Sequence, residues 1–147
     1  MATTAKLIQG TKTTLSSTGF STLASAGYVA TSAYNCTNNQ PLDVIVEVNA
    51  TTTNTPAGNK QVVVFAQASL DGSQFTGGAL SSTDESALRF LGTLPINTAS
   101  QNYDSVFSIF SAFGFIPSQF KIVLKNDLGV TLTSASVSTA EISGQSV

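Results

Sequence analysis

Between residues 42 and 49 the chain alternates without a break, with Leu42, Val44, Val46 and Val48 on one side and Asp43, Ile45, Glu47 and Asn49 on the other. A period of two is the repeat of an extended strand, and wrapping it on a helix would scatter its apolar residues around the axis. The repeat returns in residues 61–70 (QVVVFAQASL), 88–94 (LRFLGTL), 103–113 (YDSVFSIFSAF) and 120–125 (FKIVLK). In residues 61–70, Val63 and Phe65 lie opposite Val62, Val64 and Ala66, which predicts a central strand covered on both faces in its first half. A weaker pair of strands is expected at 19–23 and 27–34. No stretch sustains a 3.6-residue period, and only Ser82, Asp84 and Glu85 predict a capped helical turn within 81–87.

The segments between these strands carry turn chemistry. Asp71-Gly72 predicts a hairpin whose return begins at Phe75, and Asn126-Asp127-Leu128-Gly129 predicts another that sends residues 130–137 back antiparallel to 120–125. About seven to eight strands joined by polar turns imply an all-β fold with little helix, an antiparallel two-sheet sandwich of jelly-roll-like or Ig-like kind. Residues 1–18 and 138–147 are rich in Ser and Thr with only short apolar pieces. They are read as an N-terminal arm and a C-terminal tail around a single β-sandwich domain, residues 19–137. In the arm, Leu7, Ile8 and Leu15 are apolar anchors expected to touch a partner, as are Phe115 and Ile116 in the turn before residue 120.

Composition narrows the chemistry. The chain of 147 residues has no His, no Trp, one Cys (Cys36) and 14 charged side chains, 6 basic and 8 acidic. Without His there is no Ser-His-Asp triad and no His-ligated metal, and one Cys forms no internal disulfide. Six dispersed cations cannot track a row of phosphates, so no nucleic acid is expected as a partner. No run of 18 apolar residues occurs, so no membrane span is expected, and MATTAKLIQGTK lacks a hydrophobic signal core, so synthesis in a host cytosol without Sec export is the expectation. The eight carboxylates would serve a glycosidase only if two faced each other across a cleft. Asp43 and Glu47 share a strand face, where acids facing solvent are the ordinary expectation. Residues 69–75 (SLDGSQF) resemble the Asp-box of β-propeller glycosidases, S-x-D-G-x-T-W, but Gln74 and Phe75 replace its Thr and Trp and no second copy exists. An ordinary turn is the expected reading. No catalytic residue, no metal site and no cofactor is expected.

From Val63 onward, VVFAQASLDGSQFTGG followed by LRFLGTLPINTASQNYDSVFSIFSAFGFIPSQFKIVLKNDLGVTLTSASV resembles small β-sandwich decoration, or cement, proteins of tailed bacteriophage heads. The likeness rests on the strand into Asp71-Gly72, the segment Phe90-Leu91-Gly92-Thr93-Leu94-Pro95, residues 107–114 before Pro117, and the hairpin at 121–129; it covers about the C-terminal 60% of the chain. It implies a non-enzymatic virion protein on the outer surface of the capsid, bound to the major capsid protein and clustered as a homo-oligomer, dimer or trimer. The alternatives are a tail or fibre component, or a carbohydrate-binding sandwich in which Tyr28, Tyr34 and Tyr103 form a stacking platform.

Overall fold

The computed structural model describes residues 5–15 and 18–146. Its architecture follows from the alternation at 42–49. Strand β5 (Asp43–Thr51) sends Val44, Val46, Val48 and Ala50 into the interior, each at 0% exposure, while every second residue stays half-exposed. On the facing sheet, β6 (Gln61–Ser69) contributes Val62, Val64 and Ala66, and β9 (Gln119–Asp127) contributes Phe120, Ile122 and Leu124. Burying side chains of this size from water stabilises by about 1.5–3 kcal/mol each, an upper range because unfolded chains already hide part of that surface.

Both sheets are antiparallel. In the first, β10 (Ser134–Ser146) lies between β5 and an interrupted edge strand made of β1 (Ala5–Gln9) and β2 (Thr13–Leu15), and β8 (Tyr103–Ser108) closes the other edge. In the second, β9 lies between β6 and the interrupted strand β3 (Tyr28–Ala30) and β4 (Tyr34–Asn35), with β7 (Arg89–Pro95) on the outer edge. Counting β1/β2 and β3/β4 as one strand each, the ten strands make eight positions, and all but one connection cross between the sheets. That order is a jelly roll, which resolves the two sandwich types left open by the sequence. Among the described residues no helix is long and apolar enough to cross a membrane.

Strand β6 is covered on both faces from Val62 to Ser69. Its outward Val63 and Phe65 pack with Val123 of β9 and with Leu80 and Leu88 of the β6–β7 connection, which folds over the second sheet. The expected turn near 81–87 is a 3-10 turn at Glu85–Ala87, held down where Tyr28 and Lys125 both donate to the Glu85 carboxylate.

Several expectations are corrected. The segment 138–147 is no tail, because residues 138–146 belong to β10, an inner strand paired on both sides. Its small hydroxyl residues Ser138 and Thr139 are buried, at 4% and 2%. The arm is a sheet edge over residues 5–15, with Leu15 inside the core at 8% exposure; residues 2–4 and 16–17 lie outside the described residues. The strand expected at 19–23 is a 3-10 turn, Phe20–Thr22, that tucks Phe20 into the interior. The strand expected at 103–113 stops at Ser108, whose hydroxyl accepts the Ser111 N–H at 2.9 Å and starts helix α1 (Ile109–Phe113). Residues 130–137 do not pair with β9: β10 crosses to the other sheet, and no strand forms at Phe75.

Deleting residues 5–15 is therefore expected to destabilise the fold. Leu15→Ala alone is expected to cost about 2–3 kcal/mol and to lower the melting temperature by roughly 6–9 °C, read by thermal denaturation. Val46→Asp, an unpaired charge at a fully buried position, should prevent cooperative folding.

Candidate functional site

Each of the eight carboxylates has a partner within the fold. Asp43 Oδ1 accepts the backbone N–H groups of Val44 (2.7 Å) and Phe110 (2.9 Å), and its Oδ2 accepts the Ser108 hydroxyl at 2.6 Å, so Asp43 ties β5 to the start of α1. Glu47 pairs with Lys12 across the outer face of the first sheet. Glu141 accepts the Tyr34 hydroxyl at 2.7 Å and the Asn39 amide at 2.9 Å, joining the two sheets at one end. Asp104 accepts from Asn49, Asp127 from Asn59, and Asp84 from Ser81. Asp71 Oδ1 accepts the Ser69 hydroxyl and the N–H groups of Ser73 and Gln74. These backbone donors hold the Asp71 acid below the ordinary carboxylate range. The Lys125 ammonium, then Tyr28, does the same for Glu85. The expected bland roles of Asp43 and Glu47 thus have specific structural content. Among the described residues no group of three or more His, Cys, Asp or Glu could hold a metal ion.

Cys36 is 3% exposed, and burial, followed by the nearby Glu141 charge, pushes its thiol up to about 11. A thiol so placed is a poor nucleophile at neutral pH. The three tyrosines do not form a platform. Tyr28 lies on the outer face of the second sheet, Tyr34 packs its ring against Phe120 at 5.2 Å, and the Tyr103 hydroxyl accepts the Thr98 N–H at 3.0 Å.

The surface features that remain are apolar. Of the seven large hydrophobic side chains exposed among the described residues, Leu70, Phe90, Val106, Phe110 and Phe115 fall between the end of β6 and the start of β9; Leu7 and Leu42 are the others. Phe90 and Val106 flank a groove of about 640 Å³ where the outer strands β7 and β8 meet. The two edges come together where the Ser105 hydroxyl reaches the Thr93 carbonyl, and Gly92 allows the Phe107 ring to lie flush on β7: a Cβ there would sit 2.6 Å from Phe107 Cε1. A bulge between Val64 and Phe65 on the β6–β7 pair brings Phe90 opposite Phe65, the rings edge to face at 6.0 Å. Arg89 donates to the Ala112 carbonyl and closes the α1 end of the groove.

A second concavity, about 410 Å³, lies at the end of the sandwich beneath Leu70 and Phe115, with Pro117, Asp71 and Gln74 in its lining. Of the five partner-contact residues named from the sequence, Phe115 lines this cleft and Leu7 is exposed at the far sheet edge. Ile8 is half-buried, Leu15 is core, and Ile116 packs against the core. Leu70, Phe90, Val106 and Phe110 were not singled out. Alternation did place Phe90 and Val106 opposite Leu91 and Phe107, but the bulge and the sheet edges decide which face stays uncovered.

No family model and no curated protein matches the chain. Distant similarity exists to solved structures. CBM35 from Cellvibrio japonicus Abf62 superposes with a TM-score of 0.43 and 12% identity, covering 97% of both chains. An exo-β-1,3-galactanase from Phanerochaete chrysosporium gives 0.37 and 13%, covering 97% of this chain and 29% of that one. A Family 16 Carbohydrate Binding Module-2 gives 0.35 and 13%, covering 84% and 74%. Likenesses this distant do not carry over a function.

Two measurements follow. Cys36 should resist alkylation at pH 7, where about one thiol in 10⁴ would be ionised, and react fully only in denaturant; rapid native labelling would contradict its burial. The Glu85 carboxyl is held below its ordinary pKa, so its contribution is present above the unfolded value and is lost as pH falls through the folded one. Glu85→Gln should therefore lower the melting temperature at pH 7, and the difference should close as the pH is taken below about 3.

Proposed function

We propose that this domain is a non-catalytic structural module of a virion that docks on the capsid shell through the β7/β8 flank. The observation that carries the reading is the groove between Phe90 and Val106, whose rims are 57% and 62% exposed on a chain of only 14 charged side chains. Large apolar groups left in water beside a concavity are what protein docking surfaces present. The internal commitment of the eight carboxylates supports a role that needs no reacting group. The resemblance of the segments within residues 63–137 to head decoration proteins supports the shell as the partner. A second reading, a carbohydrate-binding module, is favoured by the cleft beneath Leu70 and Phe115.

Binding to capsids stripped of this protein tests the docking. Attachment by apolar contact should weaken less than tenfold between about 0.1 and 0.5 M salt, because screening acts on exposed charge pairs. Val106→Arg should abolish attachment while changing stability by no more than about 0.5 kcal/mol. Undiminished attachment of that variant would remove the flank as the docking surface.

A further inference from the structure

We propose that the cleft between Leu70 and Phe115 is a saccharide site that seats the ring of a neutral pyranose; this inference rests on the carbohydrate-binding reading above. The cleft wall is built before any ligand arrives. The buried Gln67 amide donates to the carbonyls of Thr76 (2.8 Å) and Gly78 (3.3 Å). Thr76 N–H donates to the Ala68 carbonyl at 2.9 Å while Ala68 N–H donates to the Thr76 hydroxyl at 3.0 Å. Within this frame Asp71 and Ser69 close the turn, with Gly72 N–H donating to the Ser69 hydroxyl at 2.9 Å. Leu70 stands at the head of the turn, 81% exposed. Across the cleft, Phe115 is 50% exposed and is braced by Phe113, ring centroids 5.8 Å apart, and Pro117 is buried below it.

The polar groups select the ligand. The turn engages Asp71 through Oδ1, and among the described residues Oδ2 accepts no hydrogen bond. Gln74 lies exposed in the same lining, and no basic side chain does. A pyranose has an apolar C–H face to lay on an aromatic ring and hydroxyls to donate to a carboxylate, and hydrogen bonds to an ionised acceptor are the stronger kind. An anionic sugar would meet Asp71 with no cation in the lining to offset it. The volume of about 410 Å³ lies within the range of small-ligand pockets.

The test is a backbone amide NMR titration of the whole chain with neutral hexoses and with a uronic acid. Saturating shifts confined to residues 68–76 and 113–118, with at least tenfold weaker binding of the uronic acid, are expected. Phe115→Ala should then weaken binding by about tenfold, the loss of one stacked ring. If that variant unfolds, Leu70→Ser, at a more exposed position, is expected to weaken binding in the same way. Saturating shifts elsewhere would overturn this site and leave the carbohydrate reading standing. An absence of shifts up to about 50 mM sugar, far above a millimolar Kd, would overturn both.

Discussion

Asn126 is the side chain on which the course of the chain depends. It is fully buried, and its amide donates to the carbonyls of Leu23 and Val130, both at 2.8 Å, while its Oδ1 accepts the Leu128 N–H at 3.0 Å. Its backbone also pairs with the turn before β3, donating to Gly27 at 3.0 Å and accepting from Ala26 at 2.7 Å. One residue thereby joins the β2–β3 connection to the β9–β10 connection at one end of the sandwich. A buried amide left unpaired would cost about 1–3 kcal/mol for each group, so these bonds hold the chain past β9 in a path that satisfies all of them. That path places Leu128 and Leu132 as a plug over the end of the core and carries β10 into the opposite sheet.

The same residue shows why part of the fold was legible and part was not. In β5 burial follows the parity of the sequence residue by residue, and in β9 it does so except at Val123, while β6, apolar on both parities at Val62–Ala66, is buried on both faces. A hairpin at 126–129 is also a fair reading of Asn-Asp-Leu-Gly, because local turn chemistry says where a chain bends and not which sheet it enters next. Strand β10 is the least legible element: SASVSTAEISGQS offers Val137 and Ile142 among hydroxyls and looks like a polar end. Its place inside a sheet rests on neighbours, with Val137 opposite Val48 and Leu15, and Thr139 opposite Val46 and Thr13. Small hydroxyl residues satisfy themselves there against nearby carbonyls, as Thr139 does toward Thr13 at 3.5 Å, so low hydrophobicity did not mean exposure.

The candidate surfaces were less legible still, for a related reason. Phe115 could be singled out because it sits in a turn, where an aromatic residue has few ways to be buried locally. Phe90 is followed by Leu91 and Val106 by Phe107, so each strand carries apolar residues on both faces, and parity alone left either face available to the core. What exposes them is sheet order: β7 and β8 are the last strands of their sheets, so their outward residues have no further strand beside them. The bulge at Val64/Phe65 adds to this by turning Phe90 toward Phe65 and away from the interior.

Charge placement completes the argument for a surface that works by shape. Lys12 and Lys125 are paired with Glu47 and Glu85, Lys121 sits over the Phe75 ring at 4.2 Å, and Arg89 is drawn to a backbone carbonyl at the end of α1. Ion pairs of this kind add little stability, yet the two of them offset four of the chain's 14 charges locally. The flank is then left with weak long-range steering, and the affinity of any partner must come from fit and desolvation at close range. A rigid scaffold suits that demand, because loosely held apolar groups would lose in ordering what they gain in contact. Here the groove is framed by Gly92 against Phe107 and by Arg89 against Ala112, and the cleft by Gln67 beneath the Asp71 turn. The ordering cost at both concavities is therefore met on folding, before any partner arrives.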